Sequence, residues 1–319
     1  MSITSNSLPG ILDGTKPGFM TPKAQAFYAM HGYLIVENAV SPEQLAQTNA
    51  ETLSLCRGEL GNFKGWQGPH DGLPDLEVLR QYLCIHFPHK LSPHMHKQLA
   101  HPAIVETLTG VIGPDVKCMQ SMLFIKAAGK PGQAWHQDED FIPTRDRSLT
   151  GAWIALDDAT VDNGCLWVIP GSHRPGVLWP QRFQKSHDFD CTHESHGFPY
   201  TDKDAVPVEV KAGSIVFFNG YLLHRSLPNH APEGTFRRVL VNHYMSASSL
   251  LPWISGSLED HDTFLDESQS VAKADVRDIV MIAGEDPYAW MGINDSHEPH
   301  VRPSGEGGCW QGETKSETE

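Results

Sequence analysis

The sequence predicts a mainly β fold, either an antiparallel sandwich or a barrel, preceded by a few helices. From residue 116 onward, short β-rich segments recur between turns rich in Gly, Pro, Asn and Asp, and no helical pattern separates them. The composition agrees with this class. A chain of 319 residues with 39% hydrophobic content can bury a sizeable core, and all-β units often exceed about 200 residues.

Helix signals are confined to the N-terminal part of the chain. A Thr-Pro pair at residue 21 is typical of a helix start and predicts a helix that ends at Gly32. A Ser-Pro pair at residue 41 predicts a second helix that ends near Arg57. Helical segments over residues 91–111 complete this part.

The domain organisation follows from composition along the chain. We expect one folded domain over residues 21–301, a flexible lead-in over 1–20, and a disordered tail rich in Gly, Ser and Glu over 302–319. The stretches 58–74 and 180–205 are polar and long. Because long loops in compact domains are often functional, both are candidate lids, and the sequence leaves this question open.

The first long strand is predicted to begin near residue 116. Its sequence alternates, so its side chains should divide between two faces. One predicted face carries Cys118, Gln120, Met122 and Phe124. Further strands are predicted within residues 151–159, 165–172, 206–220 and 236–245.

Charge and composition exclude several classes of protein. Lys and Arg number 24 against 39 Asp and Glu, and this net charge of −15 argues against nucleic acid and anionic membranes as partners. No apolar run approaches the ~18 residues of a transmembrane helix, and the first residues lack a secretory signal pattern. The six cysteines lack paired spacing, as is typical of reduced thiols, so we predict a cytoplasmic location.

Candidate metal ligands occur in the segment WHQDED, where His136 and Asp138 are two residues apart. On a β-strand such residues point the same way, while Gln137 between them faces elsewhere. An imidazole nitrogen and a carboxylate oxygen are two thirds of the 2-His-1-carboxylate ligand set of non-heme Fe(II) oxygenases. His224, which follows a strong strand pattern, is the candidate third ligand.

A candidate anion site follows His224 along the chain. Ser226 offers a small hydroxyl donor, and Arg237 and Arg238 open the segment FRRVLVNHY. Because neighbouring strand residues face opposite ways, only one arginine points inward, and a buried guanidinium needs an anion. The diacid 2-oxoglutarate suits such a site. Its keto-acid end chelates iron, and its far carboxylate accepts two hydrogen bonds from an arginine.

These motifs, in this order and together with the segment NGCLWVIPGSH, resemble the phytanoyl-CoA dioxygenase family over about residues 25–250. The family consists of Fe(II)- and 2-oxoglutarate-dependent oxygenases on a double-stranded β-helix, a cupin-like jelly-roll barrel. The resemblance implies that His136, Asp138 and His224 bind iron. It also implies that Arg237, assisted by Ser226, binds the far carboxylate of 2-oxoglutarate.

Arg237 is chosen over Arg238 because the family's arginine lies six residues before a His followed by an aromatic residue, here His243 and Tyr244. The resemblance also assigns three residues to the cosubstrate pocket, namely Gln120, Met122 and Trp153. His86 stands where some members carry a cosubstrate-binding Lys, which is a departure from the family pattern.

The reaction implied by the resemblance consumes O2, hydroxylates an unactivated C–H of a small-molecule substrate, and converts 2-oxoglutarate to succinate and carbon dioxide. Halogenating relatives replace the carboxylate at position 138 with a small residue, so the presence of Asp138 favours hydroxylation. Neither the identity of the substrate nor the oligomeric state can be derived from the sequence.

Several other motifs have a plainer interpretation. The pair Asp157 and Asp158 is expected at a strand end or turn, and three histidines are expected in a loop without a metal, namely His187, His193 and His196. Four aromatic residues fit a substrate cavity or the core equally well, namely Trp66, Phe87, Phe141 and Trp179.

Two other functions stay open at this stage. One is a cupin-type metalloenzyme that needs no cosubstrate, against which Arg237 and Ser226 argue. The other is a non-catalytic protein that binds 2-oxoglutarate or another small ligand. The complete ligand set argues against it, because a protein that does no chemistry would not need all three ligands.

Overall fold

Two β-sheets face each other in this chain, and helices cover the outer face of the larger one. The computed structural model describes residues 10–190, 193–250 and 276–303. The predicted mainly β fold is confirmed, and the arrangement is that of a double-stranded β-helix. Among the residues described, no helix is both long enough and apolar enough to cross a membrane.

The helices and strands have the following bounds. The helices are α1 (Pro22–His31), α2 (Pro42–Cys56), α3 (Asp75–Arg80), α4 (Pro93–Gln98) and α5 (Pro102–Val111). The strands are β1 (Ile11–Asp13), β2 (Tyr33–Glu37), β3 (Tyr82–His86), β4 (Val116–Ala127), β5 (Gln133–His136), β6 (Thr150–Ala155), β7 (Leu166–Val168), β8 (Gln181–Phe183), β9 (His193–Ser195), β10 (Val206–Val208), β11 (Ile215–Asn219), β12 (His224–Ser226), β13 (Phe236–Ser246), β14 (Val280–Ala283) and β15 (His300–Pro303).

The larger sheet has the strand order β1-β2-β11-β6-β13-β4-β3-β15, and β14 also pairs with β4. Strand β13 lies near its centre and pairs antiparallel with β6 and β4, which sets Arg237 opposite Lys126. The smaller sheet has the order β10-β7-β12-β5, and its register sets His224 directly opposite His136. The two registers together determine which side chains enter the space between the sheets.

The space between the sheets is partly filled by an apolar layer. Trp153 and Val239 of the larger sheet pack there with Leu166 and Val168 of the smaller sheet. The other face of the larger sheet belongs to the main core, where Leu240 of β13 lies in the same cluster as apolar residues of α2 and α5. The larger sheet is therefore buried on both faces, as its apolar sequences require.

The first two helices begin and end where their sequence signals predict. Thr21 accepts a hydrogen bond from the backbone of Ala24, and Gly32 ends α1 with φ of 81°, a left-handed conformation that favours glycine. Ser41 and Gln44 form a capping box at the start of α2. These predictions are confirmed.

The boundaries of the predicted domain differ from the structure at both ends. The predicted lead-in over 1–20 includes β1, which pairs with β2, because residues 11–13 supply backbone donors and acceptors to the edge of the larger sheet. The predicted tail over 302–319 begins too early, since Arg302 belongs to β15 and pairs with β3. Residues 1–9 and 304–319 lie outside the part described.

Two internal segments also differ from expectation. A bulge in β4 opposite β13 shifts the pairing between Gln120 and Cys118, so Cys118 joins the main core instead of the face that carries Gln120. The polar stretch 180–205 contains the hairpin of β8 and β9 in addition to loop, with residues 191–192 outside the described part.

Candidate active site

A cavity that is open to solvent on one side lies between the two sheets. It contains all eight residues that the sequence analysis assigned to a site. Its walls are formed by His86, Gln120, Met122, Phe124, Gln133, His136, Asp138, Phe141, Ile142, Trp153, Leu166, Phe218, His224, Arg225, Ser226, Arg237, Val241, His243 and Arg302.

Three of these residues could hold a metal ion. One ligand atom from each of His136, Asp138 and His224 lies within 4.8 Å of the others. Nε2 of His136 is 3.6 Å from Oδ1 of Asp138, and Nε2 of His224 is 3.4 Å from the same oxygen. Among the described residues this is the only such group of His, Cys, Asp or Glu side chains.

The backbone brings His136 and Asp138 together in a slightly different way from the prediction. Only His136 lies on a strand, because β5 ends there and Asp138 begins a 3-10 turn. Gln137 between them is still extended, with φ of −128° and ψ of 125°, so the alternation of side chains continues for one more step. The Gln137 side chain points away, donating to the carbonyls of Val177 and Tyr221.

Hydrogen bonds set the orientation of both imidazoles. Nδ1 of His136 lies 2.8 Å from the carbonyl of Ala134, and Nδ1 of His224 lies 2.9 Å from the carbonyl of Leu222. A carbonyl only accepts, so each Nδ1 carries a proton and Nε2 is the nitrogen that each ring directs at Asp138. Nε2 is therefore the atom with which each ring could bind a metal ion.

The three groups also shift one another's pKa. Burial lowers the pKa of His136 to about 4, so this ring is neutral near pH 7. Burial opposes the charged forms of His224 and Asp138 as well, yet their mutual attraction is stronger, so the pKa of His224 is raised and that of Asp138 is lowered well below its ordinary value. Asp138 is therefore a carboxylate, as a metal ligand must be.

His243 supports this group, a role that was not predicted from the sequence. Its Nε2 lies 3.1 Å from Oδ2 of Asp138, which leaves Oδ1 directed at the two imidazoles. Partners of this kind orient metal ligands. The signal that could have revealed it is the alternation of β13, because His243 lies six residues after Arg237 and on the same face.

At the other end of the cavity lies the Arg237 side chain, which is 4% exposed. Within the described part of the chain, no carboxylate pairs with it, and its Nε is buried without a hydrogen-bond partner. Its guanidinium lies 5.5 Å from the ring centre of Trp153. Burial lowers its pKa to about 10, so Arg237 remains charged near neutral pH.

Arg238 has the opposite environment. Its Nε and Nη2 donate to the two carboxylate oxygens of Asp157 at 2.8 and 2.6 Å, outside the cavity. Asp158 likewise pairs with Lys211 on the surface. These two aspartates are thus structural, in agreement with the plainer interpretation of that motif.

Ser226 lies at the cavity wall and has two donors close to its oxygen. Nζ of Lys126 lies 3.0 Å from Oγ of Ser226, and the backbone N–H of Gln133 lies 3.2 Å from it. Gln120, Met122 and Trp153 line the cavity as expected, and Gln120 approaches His86 at 3.5 Å.

Of the four aromatic residues considered for a substrate cavity, one lines the cavity and three do not. Phe141 lines the cavity, whereas Trp66, Phe87 and Trp179 do not. Arg302, which was not predicted from the sequence, enters the cavity wall from β15 and lies 2.8 Å from the carboxylate of Asp190. No local signal marks Arg302, because β15 reaches the cavity only through its pairing with β3.

The donor set fits iron. Two imidazoles and one carboxylate on one side of a point, with an open cavity on the other side, form the facial arrangement that non-heme Fe(II) oxygenases use. The unpaired guanidinium of Arg237 fits a carboxylate in the same cavity.

Comparison with known families agrees with this geometry. The family described as phytanoyl-CoA dioxygenase (PhyH) matches residues 28–239. The chain belongs to the phytanoyl-CoA dioxygenase family. The family prediction made from the motifs is thereby confirmed.

Individual members of the phytanoyl-CoA dioxygenase family align with different lengths of the chain. The Arabidopsis thaliana protein named phytanoyl-CoA dioxygenase is 40% identical over 148 residues, which are 45% of this chain and 50% of that protein. The Danio rerio protein named phytanoyl-CoA dioxygenase domain-containing protein 1 is 33% identical over 65% of this chain and 72% of its own length. The chain thus spans about half the length of the plant relatives it matches.

Solved structures share the fold at lower identity. The non-heme monooxygenase ThoJ has a TM-score of 0.59 and 20% identity, over 82% of this chain and 84% of ThoJ. EctD from S. alaskensis, solved with 2-oxoglutarate and 5-hydroxyectoine, has a TM-score of 0.54 and 20% identity, over 78% of this chain and 81% of EctD. At this identity the likeness establishes the shared fold.

Proposed function

We propose that the protein is an Fe(II)- and 2-oxoglutarate-dependent dioxygenase that hydroxylates an unactivated C–H of a small organic substrate. One observation carries the proposal. Arg237 is buried and unpaired within the described part of the chain, and it lines the same cavity as the three candidate metal ligands. A buried cation without a partner is costly, so this position favours a ligand that brings a carboxylate.

In this proposal, His136, Asp138 and His224 hold Fe(II) on one side and leave the cavity side open. Fe(II), 2-oxoglutarate and O2 together would supply the oxidation, in which one oxygen atom enters the substrate and the other enters succinate as carbon dioxide leaves. His243 keeps the Asp138 carboxylate oriented through the hydrogen bond to Oδ2.

The far carboxylate of 2-oxoglutarate would pair with Arg237, whose planar guanidinium can donate two parallel hydrogen bonds. Ser226 would add a third donor from the neighbouring wall. The guanidinium of Arg237 also lies over the indole ring of Trp153, a contact that favours the cation. Gln120 and Met122 would form the adjacent wall of the cosubstrate pocket.

The substrate would enter from the open side of the cavity, next to Phe141, which is 39% exposed. Asp138 is a carboxylate where a halogenating relative has a small side chain, which supports hydroxylation as the outcome. The relatives named peroxisomal are rat and mouse proteins. For this chain a cytoplasmic location stays a prediction.

The decisive experiment measures succinate after addition of Fe(II), 2-oxoglutarate and ascorbate without any substrate. Slow succinate formation that depends on iron is expected, because conversion of 2-oxoglutarate can proceed at a low rate without hydroxylation of a substrate. Binding of 2-oxoglutarate without any turnover would instead favour a ligand-binding protein. Neither binding nor turnover would favour a cosubstrate-independent metalloenzyme.

The substrate can then be sought with the active protein. Candidate acyl thioesters, small acids, amino-acid derivatives and secondary metabolites are incubated with the enzyme and its cosubstrate. A product heavier by one oxygen atom, formed together with succinate in equal amount, would identify the substrate and test hydroxylation directly.

A further inference from the structure

The hydroxyl of Ser226 is held in a fixed hydrogen-bonding role. Its oxygen accepts from Nζ of Lys126 at 3.0 Å and from the backbone N–H of Gln133 at 3.2 Å. A hydroxyl oxygen has two lone pairs, so these donors occupy both of them. Within the described part of the chain, no acceptor takes the remaining O–H, and Ser226 and Arg237 both line the cavity.

Lys126 is in turn held by groups that only accept. Its Nζ donates to the carbonyl of Leu227 at 2.7 Å and to that of Gly164 at 3.4 Å, and the side chain is 3% exposed. Lys126 is not itself part of the cavity wall. Its contact with the cavity is therefore indirect and passes through Ser226.

The turn at Gly164 makes this enclosure possible. Gly164 has φ of 80°, and a Cβ at this position would lie 2.3 Å from the carbonyl oxygen of Leu227 and 3.0 Å from Nζ of Lys126. Only glycine lets the turn approach so closely. Lys126 is also opposite Arg237 in the β4–β13 register, so two basic side chains lie together at this end of the cavity.

We propose that Lys126 is a positioning residue for the cosubstrate. It accomplishes this by occupying the Ser226 oxygen, so that the Ser226 hydroxyl can act only as a donor toward the far carboxylate of 2-oxoglutarate. This inference rests on the proposed function. A serine that can rotate freely would accept from Arg237 or from water for part of the time, and its contribution to carboxylate binding would fall.

The test is a double-mutant cycle of Lys126 and Ser226 in the 319-residue protein. Each protein is loaded with Fe(II) under anaerobic conditions, and its affinity for 2-oxoglutarate is measured by calorimetry. Ser226→Ala should weaken binding about tenfold, because a hydrogen bond to a charged group is worth roughly 1.5 kcal/mol or more. Lys126→Met should weaken binding about fivefold or more. In the Ser226→Ala background, Lys126→Met should change affinity by less than about twofold, since its effect passes through the serine.

Two further measurements separate positioning from a general structural effect. The keto acid 2-oxobutyrate lacks the far carboxylate, so its affinity should be the same in Lys126→Met and the unchanged protein. Lys130→Met, a lysine substitution four residues along and outside the cavity wall, should leave 2-oxoglutarate affinity unchanged. If Lys126→Met does not fold, Lys126→Gln takes its place in the cycle, because its shorter side chain also loses the contact with Ser226.

The outcomes are distinct. An effect of Lys126→Met that persists at full size without Ser226, or that appears equally with 2-oxobutyrate, overturns the inference and leaves the proposed function intact. Normal 2-oxoglutarate affinity in Lys126→Met also overturns it. If the unchanged protein with Fe(II) does not bind 2-oxoglutarate at all, the proposed function itself fails, and the inference fails with it.

Discussion

Two neighbouring arginines lie on opposite faces of strand β13, and only one of them has an ion-pair partner among the described residues. On the outer face, Arg238 forms two hydrogen bonds with Asp157, and the pair is complete. On the inner face, Arg237 is more deeply buried, yet no carboxylate of the described residues forms an ion pair with it, and its Nε has no hydrogen-bond partner. The same inner face carries His243, which orients Asp138 at the other end of the cavity.

The difference assigns a structural role to the outer face of this strand and a ligand-binding role to its inner face. A buried charge is tolerated in a protein interior when a partner compensates for its lost hydration. The outer face follows this rule within the chain, whereas the inner face leaves one cation to be compensated by a ligand. Changes on the inner face should therefore alter binding and turnover, and changes on the outer face should alter stability.

The largest effect is expected at the metal end of the inner cavity. Replacing His136, Asp138 or His224 with Ala should abolish iron-dependent succinate formation, because each variant lacks one of the three ligands of the proposed Fe(II) site. The fold should persist, since the strands are held by other core residues. Iron binding and thermal unfolding are measured for each variant, and near-normal turnover in one variant would remove that residue from the ligand set.

The second largest effect is expected on 2-oxoglutarate affinity when Arg237 is replaced. Arg237→Ala should weaken 2-oxoglutarate binding by roughly 2–5 kcal/mol, or about 30- to several-thousand-fold. Arg237→Lys should also be weakened, because an ammonium group cannot reproduce the planar pair of donors. Affinity is measured with iron saturating.

Arg238→Ala is the matched control on the outer face. It should leave affinity unchanged and lower the free energy of unfolding by about 1 kcal/mol, because Asp157 loses a partner in a partly exposed pair. Weaker cosubstrate binding in this variant, with normal binding in Arg237→Ala, would reverse the assignment of the two faces.

A smaller effect is expected at His243. His243→Ala should lower iron affinity about 10- to 100-fold, because Asp138 loses the donor that orients it. His243→Gln retains a donor and should recover part of the loss. Iron affinity is measured by competition with a chelator, and equal affinity in all three proteins would show that His243 does not act through Asp138.

The smallest effect concerns pH and the outer face of the larger sheet. His89 is buried there, its Nδ1 lies beside the hydroxyl of Ser121, and burial with the nearby Lys90 charge lowers its pKa to about 4. Between about pH 6.5 and 4 the unfolded chain binds a proton at His89 that the folded chain does not. Stability should therefore fall as the pH decreases through this range.

This prediction is checked by measuring the free energy of unfolding in urea at about pH 7, 5.5 and 4.5, with His89→Gln as the comparison. The variant should lose less stability on acidification than the unchanged protein, because it lacks the titrating group. An identical loss in both proteins would assign the acid sensitivity to other groups.

The sequence by itself determined the local parts of this protein. The period of two in strands relates His136 to Asp138 and separates Arg237 from Arg238, and caps locate the ends of α1 and α2. These features depend on residues a few positions apart, so they can be predicted from one sequence. The strand pattern before His224 made it the candidate third ligand, and the family resemblance added its role in iron binding and the choice of Arg237.

Only the tertiary structure decided which distant residues meet. His243 contacts Asp138 across 105 residues of sequence and Lys126 contacts Ser226 across 100, and neither pair has a local pattern. The bulge in β4 reverses the face of Cys118, and β15 carries Arg302 into the cavity from the far end of the chain. Strand order and register create these contacts, because a shift of one residue turns every side chain of a strand to its other face.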